Sequence, residues 1–334
     1  MFVENEISEK AFGGTELTKR GLAKLIDPEL LSNFQITCSR VRSLDEDKIR
    51  VYWVHDLPND PECEKLKDEN FRNQFHQIVF TSEYQYVMFR NILDLQFDER
   101  YRVIESCIEP IDFVAKPDDK INLIYHTTPH RGLALLIPAF DYLSKLHPEI
   151  HLHVFSSFKM YGWPDADDTF EPLFKQCREH PMITYHEFSG ATSNDEVREQ
   201  LQQTHIFAYP CIWQETFCRS LVEAMSASVV CVHPNYGALP FTSGGLSIMY
   251  PGDINNQKHV NIFARYTDIA INMIKSKNAA LDQRLVFNKA YVDTLYSQGY
   301  IASKWSALMG QLLKAFPTVE SRKMPGQILT FKTS

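Results

Sequence analysis

Two glutamates with seven residues between them, Glu215 and Glu223, lie in the segment Pro210-Cys-Ile-Trp-Gln-Glu-Thr-Phe-Cys-Arg-Ser-Leu-Val-Glu-Ala-Met225. The segment follows an apolar run and opens a helical pattern. Glu215 then stands in the strand-to-helix loop, at the start of the helix. Glu223 lies about two turns on, near the same face. The backbone N–H groups of Thr216, Phe217 and Cys218 are expected to lack helical partners and to form an anion site backed by the helix dipole. A carboxylate beyond them suits the vicinal hydroxyls of a ribose. The plainer reading makes Glu215 a favourable charge at a helix start and Glu223 a solvated helix residue.

Three further places offer chemistry. Arg131, in His130-Arg131-Gly132, puts a cation at the start of a helical pattern; it is either an anion ligand or a surface residue. Val51-Tyr-Trp-Val-His55-Asp56 is an apolar strand that ends in a polar pair, where open α/β sheets place ligands. His55 could hydrogen-bond a hydroxyl, take a proton or serve structurally. Asp56 could orient it or cap the next loop. Gly13 and Gly14 either admit a ligand close to the backbone or form a loop before a helix. Asp165-Ala-Asp167-Asp168 imitates a D-x-D metal motif, but it follows Gly162-Trp163-Pro164 and reads as a solvated acidic turn. No Ser-His-Asp elbow, P-loop or lone G-x-G-x-x-G is present.

The elements that must position these residues alternate. Strands are predicted at 34–39, 49–55, 78–81, 102–105, 121–126, 151–156, 182–186, 205–209 and 229–233. Helices are predicted at about 15–26, 62–74, 83–93, 131–146, 170–179, 194–203 and 217–227. Such alternation predicts an α/β fold of parallel sheets covered by helices. The polar, Pro-containing stretch at 107–120 reads as a linker. The expected organisation is an N-terminal Rossmann-like lobe over 1–115, a C-terminal Rossmann-like lobe over 116–298, a helix over 299–316 and a tail over 317–334. Trp305, Leu308, Met309, Leu312 and Leu313 make one apolar face of that last helix.

Composition narrows the class. The chain has 334 residues, 44% of them apolar, which suits one large domain or two and argues against bulk disorder. No apolar run is long enough to span a membrane as a helix. The acidic start, Met1 to Glu6, has no apolar core of a signal peptide. The seven cysteines are scattered without C-x-x-C or zinc spacing, which predicts free thiols and a cytoplasmic location. The formal charge is −8, and residues 1–120, with 16 Lys and Arg against 24 Asp and Glu, carry all of it. That balance opposes non-specific binding to nucleic acid or anionic lipid.

Glu215-Thr-Phe-Cys-Arg-Ser-Leu-Val-Glu223-Ala-Met-Ser-Ala resembles the E-G-F-G-x-x-x-x-E-A-M-A signature of retaining glycosyltransferases of family 4, with the two-lobed GT-B fold. Gly13-Gly14-Thr15, Ile78–Ser82, Val103–Pro110, His130-Arg131-Gly132, Phe188-Ser-Gly190 before Glu196-Val197, and Val229–Gly237 resemble further segments in the family's order. The likeness covers about residues 11–315. It implies two lobes facing a cleft, with the acceptor on the first (1–115), the nucleotide sugar held by the second (116–298) and the helix over 299–316 crossing back to the first. It also implies roles: Glu223 on the nucleotide ribose, Glu215 on the donor sugar, Arg131 on the diphosphate, Gly13 and Gly14 close to diphosphate or sugar, Gly190 in the base-binding region, and His55 near donor sugar and acceptor.

Three places depart from the family pattern. His126 stands where the family often has arginine, so the diphosphate charge would be met by Arg131 with His126, His130, Thr127 or Thr128. Cys218 replaces a glycine. Only about ten residues precede the Gly-Gly loop, too few for the usual first strand.

The expectation is therefore a metal-independent, cofactor-free, retaining transferase. It would move a sugar from a nucleotide-sugar donor to a small sugar, glycan, lipid-linked sugar or modified nucleobase. Alternatives are a transferase acting on a modified DNA base, or a non-catalytic nucleotide-sugar or glycan-binding protein. A phosphorylase of the same fold would need a pyridoxal-phosphate lysine, and no segment resembles one. The oligomeric state stays open.

Overall fold

The structure, a computed structural model, describes residues 11–190, 193–252 and 258–323. The expectations drawn from the first ten residues and from the end of the tail lie outside these. Contacts divide the chain into two compact units. Described residues 14–107 and 296–323 form the first, and 11–13 and 108–295 form the second.

The first unit holds four parallel strands: β1 (Phe34–Cys38), β2 (Ile49–Val54), β3 (Gln77–Phe80) and β4 (Tyr101–Val103), in the order β1-β2-β3-β4. β1, β2 and β3 are buried along their whole length, the pattern of a parallel sheet covered on both faces. Helix Gln298–Ala315 presses Ile301, Trp305, Leu308, Met309 and Leu312 into a core with Phe34, Ile36 and Trp53. The rings of Trp53 and Trp305 lie 5.1 Å apart. The predicted helix over 62–74 is instead three short turns, Pro61–Glu64, Lys65–Lys67 and Glu69–Arg72. Asp60 and Asp68 each cap a new start by accepting a backbone N–H two residues on, which breaks the run.

The second unit is a six-stranded parallel sheet: β5 (Ile121–Tyr125), β6 (Ile150–Phe155), β7 (Ile183–His186), β8 (Ile206–Ala208), β9 (Val230–Pro234) and β10 (Ile248–Tyr250). Its order, β10-β9-β8-β5-β6-β7, reverses between β5 and β8. In a doubly wound sheet that reversal leaves a crevice at the carboxyl ends of the two strands, where ligands bind. β10 and the long helices His259–Lys275 and Ala279–Leu295 are additions to the predicted elements.

The stretch expected to be a linker is fastened to this unit. Ile111 N–H donates to Ser226 Oγ at 2.9 Å, and Arg198 donates to the carbonyls of Glu109 and Pro110. Lys116 Nζ donates to the carbonyls of Leu201, Gln202 and Ala227, the C-terminal ends of helices Ser193–Gln202 and Arg219–Ser226. A lysine there satisfies carbonyls that the helices leave open.

Candidate active site at the strand reversal

Two loops leave the strands that flank the reversal. Residues 126–132 follow β5 and residues 209–218 follow β8. Ile212 N–H donates to the Arg131 carbonyl at 3.1 Å, which ties one loop to the other. Gly132 permits the approach: it has φ of 142°, and a Cβ there would come within 2.4 Å of the Pro210 carbonyl oxygen. Gly237, at φ 59°, does the same on the far side, where a Cβ would meet the Glu215 backbone nitrogen at 2.8 Å. The next residue, Ala238, donates its N–H to the Glu215 carbonyl at 2.9 Å.

Glu215 is buried and held at its carboxylate. Arg131 Nη1 donates to Oε1 at 2.8 Å and to Oε2 at 3.0 Å, and Tyr209 Oη donates to Oε1 at 2.6 Å. Arg131 also lies over the Trp213 ring, 5.7 Å from its centroid. Burial opposes its charge, but the Glu215 carboxylate more than offsets that and holds the guanidinium well above its ordinary value. Arg131 is therefore half of an ion pair rather than a free cation. Its Nε is buried without a hydrogen-bond partner, a donor left over for a ligand.

Glu223 is also buried, so the reading of a solvated helix residue fails. Arg219, one turn earlier, donates from Nε to Oε1 at 2.9 Å, and His126 Nε2 lies 3.9 Å from Oε2. The helix that carries both begins only at Arg219, with Cys218 as its N-cap in the left-handed region at φ 70°. The expected anion site on the amides of Thr216, Phe217 and Cys218 is thus displaced. Phe217 is buried instead, its carbonyl accepting from Thr242 Oγ1. Ser220 Oγ donates to the His126 carbonyl at 3.0 Å, joining the helix start to the end of β5.

The histidines do not add charge here. Burial pushes His126 down to about 4, against a weaker pull from Glu223. Burial and the neighbouring Arg131 lower His130 to about 4. Burial favours the neutral form of both near pH 7. They are left as neutral hydrogen-bonding groups, and both ring nitrogens of His126 are buried without partners.

The remaining candidates are dispersed. Gly190, at φ 77°, follows β7 and has open space where a Cβ would point. Gly13 is a buried residue of the second unit, beside Phe12, whose N–H donates to the Met160 carbonyl at 2.6 Å. Gly14 belongs to the first unit and starts helix Gly14–Ala23. Asp167 is not solvated: it is buried and accepts from Ser157 Oγ at 2.5 Å and from Phe158 N–H at 2.6 Å.

In the first unit, His55 directly follows β2. Its N–H donates to Ser39 Oγ at 2.8 Å, and Nδ1 lies 3.2 Å from Thr15 Oγ1. Burial drives its pKa down to about 3, so it is a neutral hydrogen-bonding group rather than a ready base. The Asp56 carboxyl, raised by burial, hydrogen-bonds Ser39, which favours the loop-capping alternative for it. Asp56, Asp60 and Cys63 bring three potential metal-ligating atoms within 4.8 Å of one another. Burial pushes the Cys63 thiol up to about 12.

Sequence reasoning gave no role to Arg219, Tyr209, Gly132 or Gly237 at this site. The i,i+4 spacing of Arg219 and Glu223 was a usable signal. The pairing of Arg131 with Glu215, 84 residues apart, had none.

Residues 111–242, which contain both loops and both ion pairs, match the family model "Glycosyl transferases group 1". That segment of the chain is similar to group 1 glycosyltransferases. Among solved structures the chain is similar to a glycosyltransferase from Rickettsia africae ESF-5, at 13% identity and a TM-score of 0.62, over 92% of this chain and 84% of that one. It is similar to sucrose-phosphate synthase from Thermosynechococcus elongatus, at 16% identity and a TM-score of 0.61, over 90% and 79%. It is also similar to Anabaena HepE in complex with UDP and glucose, at 13% identity and a TM-score of 0.60, over 87% and 81%. These likenesses establish the GT-B fold. A sequence search among curated proteins finds no match. Among the described residues, no helix is long and apolar enough to cross a membrane.

Proposed function

We propose that the chain transfers a sugar from a nucleotide-sugar donor to an acceptor hydroxyl, with retention at the anomeric carbon and without a metal. The observation that carries this reading is the pair of buried carboxylates at the strand reversal, each neutralised by an arginine, inside the segment that matches the group 1 family. HepE, which shares the fold, is in complex with UDP and glucose.

In this reading Glu223 accepts from ribose hydroxyls and Glu215 from donor-sugar hydroxyls. Arg131, through its unpartnered Nε, receives the diphosphate, whose negative charge grows as the glycosidic bond breaks. Thr216, Phe217 and Cys218 shape the loop that presents Glu215. Neutral His126 offers hydrogen bonds beside the phosphates. Gly13, Gly14 and Gly190 leave room for the donor. The bond between the anomeric carbon and the diphosphate oxygen breaks, and the acceptor oxygen bonds to that carbon from the same face. The acceptor proton departs on the leaving diphosphate. His55 contributes a neutral hydrogen bond to a sugar hydroxyl. The cationic work assigned to Arg131 and the helix start is what a metal does elsewhere.

The test is a panel of UDP, GDP, ADP and their sugars, read by calorimetric affinity and by donor hydrolysis or transfer. Glu223→Ala and Arg131→Ala are each expected to weaken donor binding by tenfold or more. Unchanged donor affinity in both would sink the assignment. Binding of nucleotide sugars without turnover of any of them would favour a non-catalytic binding protein.

A further inference from the structure

A continuous run of aromatic side chains extends outward from the Arg131–Glu215 pair within the second unit. Trp213, beneath the Arg131 guanidinium, meets the His130 ring edge-on at 4.8 Å. His130 stacks on Phe158 at 5.2 Å, with ring planes 18° apart. Phe158 leads to Tyr161 at 6.4 Å, and Tyr161 to Trp163 at 5.5 Å. The run ends in solvent: Trp163 is 59% exposed and Trp213 42%. An indole held open in this way presents a broad aromatic face to a ligand.

The loop that presents Trp163 is held rigid. Buried Asp167 fastens its beginning through Ser157 Oγ and Phe158 N–H. Trp163 N–H donates to the Phe158 carbonyl, and Ala166 N–H to the Trp163 carbonyl. Gly162 turns the backbone at φ 75°. The exposed indole is therefore preorganised, which lowers the entropic cost of binding on it. Two exposed carboxylates, Asp165 and Asp168, lie in the same turn. Aromatic faces match the C–H faces of pyranose rings, and carboxylates accept from sugar hydroxyls. The same carboxylates repel phosphate, which disfavours a nucleotide or nucleic acid at this place.

We propose that Trp163, with Tyr161 and the ring run that joins it to Trp213, is a stacking platform for a neutral oligosaccharide. This would be the acceptor glycan, entering from solvent toward the donor sugar. The proposal rests on the glycosyl-transfer reading above. Trp163 is exposed, so Trp163→Ala leaves the fold intact, as an unchanged thermal midpoint would verify.

Calorimetry with neutral tetrasaccharides of glucose, mannose, galactose and N-acetylglucosamine is expected to show saturable binding of at least one. Trp163→Ala should weaken that binding at least tenfold, and Asp165→Asn with Asp168→Asn by less. UDP, GDP and ADP affinities should stay within twofold in every variant. The proposal is overturned if no tetrasaccharide binds the native chain, if Trp163→Ala binds it equally well, or if Trp163→Ala loses nucleotide affinity, which would make the ring a base-stacking group. Failure of the glycosyl-transfer reading looks different, because then the native chain turns over no nucleotide sugar, whether or not a tetrasaccharide binds.

Discussion

At the ends of β5 and β8, each buried carboxylate has a guanidinium within hydrogen-bond distance: Arg131 on Glu215 and Arg219 on Glu223. At the end of β2 the polar groups are of another kind. His55 is kept neutral by burial, Thr15 and Ser39 offer hydroxyls to it, and burial raises the Asp56 carboxyl toward its neutral form. Both places are carboxyl ends of parallel strands. They differ in how the cost of burying polar groups is met. The second unit keeps charges and pairs them, so a ligand with its own charge can exchange partners there. The end of β2 keeps a neutral imidazole beside two hydroxyls, a set that suits hydroxyl ligands. One architecture thus yields two kinds of recognition, decided by a few side chains at the strand ends.

The largest expected effect breaks one of the pairs. Arg131→Met would leave Glu215 with Tyr209 as its remaining hydrogen-bond donor among the contacts described above and with no guanidinium. Removing one partner of a buried ion pair costs on the order of 3 kcal/mol. Thr15→Val, which removes the hydroxyl 3.2 Å from His55 Nδ1, is expected to cost about 1 kcal/mol, as a neutral hydrogen bond does. Urea unfolding of the two variants measures both. Equal losses would mean that the two strand ends are energetically alike, against the contrast drawn between them.

A smaller effect per residue comes from acid. In the second unit, burial lowers His126, His130 and His233 to about 4 and His153 to about 3. In the first, it lowers His55 to about 3 and His76 to about 4. Each folded value lies below the ordinary 6.5, so the folded state binds fewer protons than the unfolded one. The stabilisation is complete above pH 6.5 and is lost as pH falls toward the folded values. Between pH 7 and 5 each such histidine is expected to cost on the order of 1 kcal/mol. Hydrogen exchange at the two pH values should therefore show the second unit opening more than the first. Equal or reversed sensitivity would count against the balance of buried histidines described here.

Much of this arrangement was legible in the chain, and the limits are physical. Each of the nine predicted strands has an observed counterpart, because fully buried parallel strands write themselves as apolar runs between turns. β10 escaped because Ile248–Tyr250 is three residues long and follows a glycine pair. Helix Ala279–Leu295 escaped because it exposes Val286 and Phe287, which blurs its apolar stripe. At the site, Glu215, Glu223 and Arg131 could be nominated from residue type and place in the chain. Their pairing could not, because long-range contacts between loops leave no local period. The start of the glutamate helix was placed too early for a related reason: a non-glycine residue in the left-handed region ends the loop, and nothing in the identity of Cys218 announces it.

That residue gives the finest test of the comparison. Each strand-end region has one non-glycine residue with positive φ, Ser39 at 61° and Cys218 at 70°. Holding a side chain there costs roughly 1–2 kcal/mol, which glycine avoids. Ser39 uses its hydroxyl, accepting from His55 N–H and hydrogen-bonding Asp56, so Ser39→Gly trades relief of strain for two lost hydrogen bonds and should destabilise by about 1 kcal/mol. Cys218 is buried, and burial raises its thiol well above the ordinary range, so the side chain contributes packing and a weak contact to the Leu221 N–H. Losing that small apolar group costs about 1 kcal/mol, close to the strain it relieves. Cys218→Gly should therefore leave the thermal midpoint nearly unchanged and keep nucleotide affinity within twofold. Cys218→Val should lower both, since a β-branched residue tolerates positive φ poorly. If Cys218→Gly destabilised the chain more than Ser39→Gly, the side chain would hold the glutamate loop in a way that packing and backbone strain do not explain.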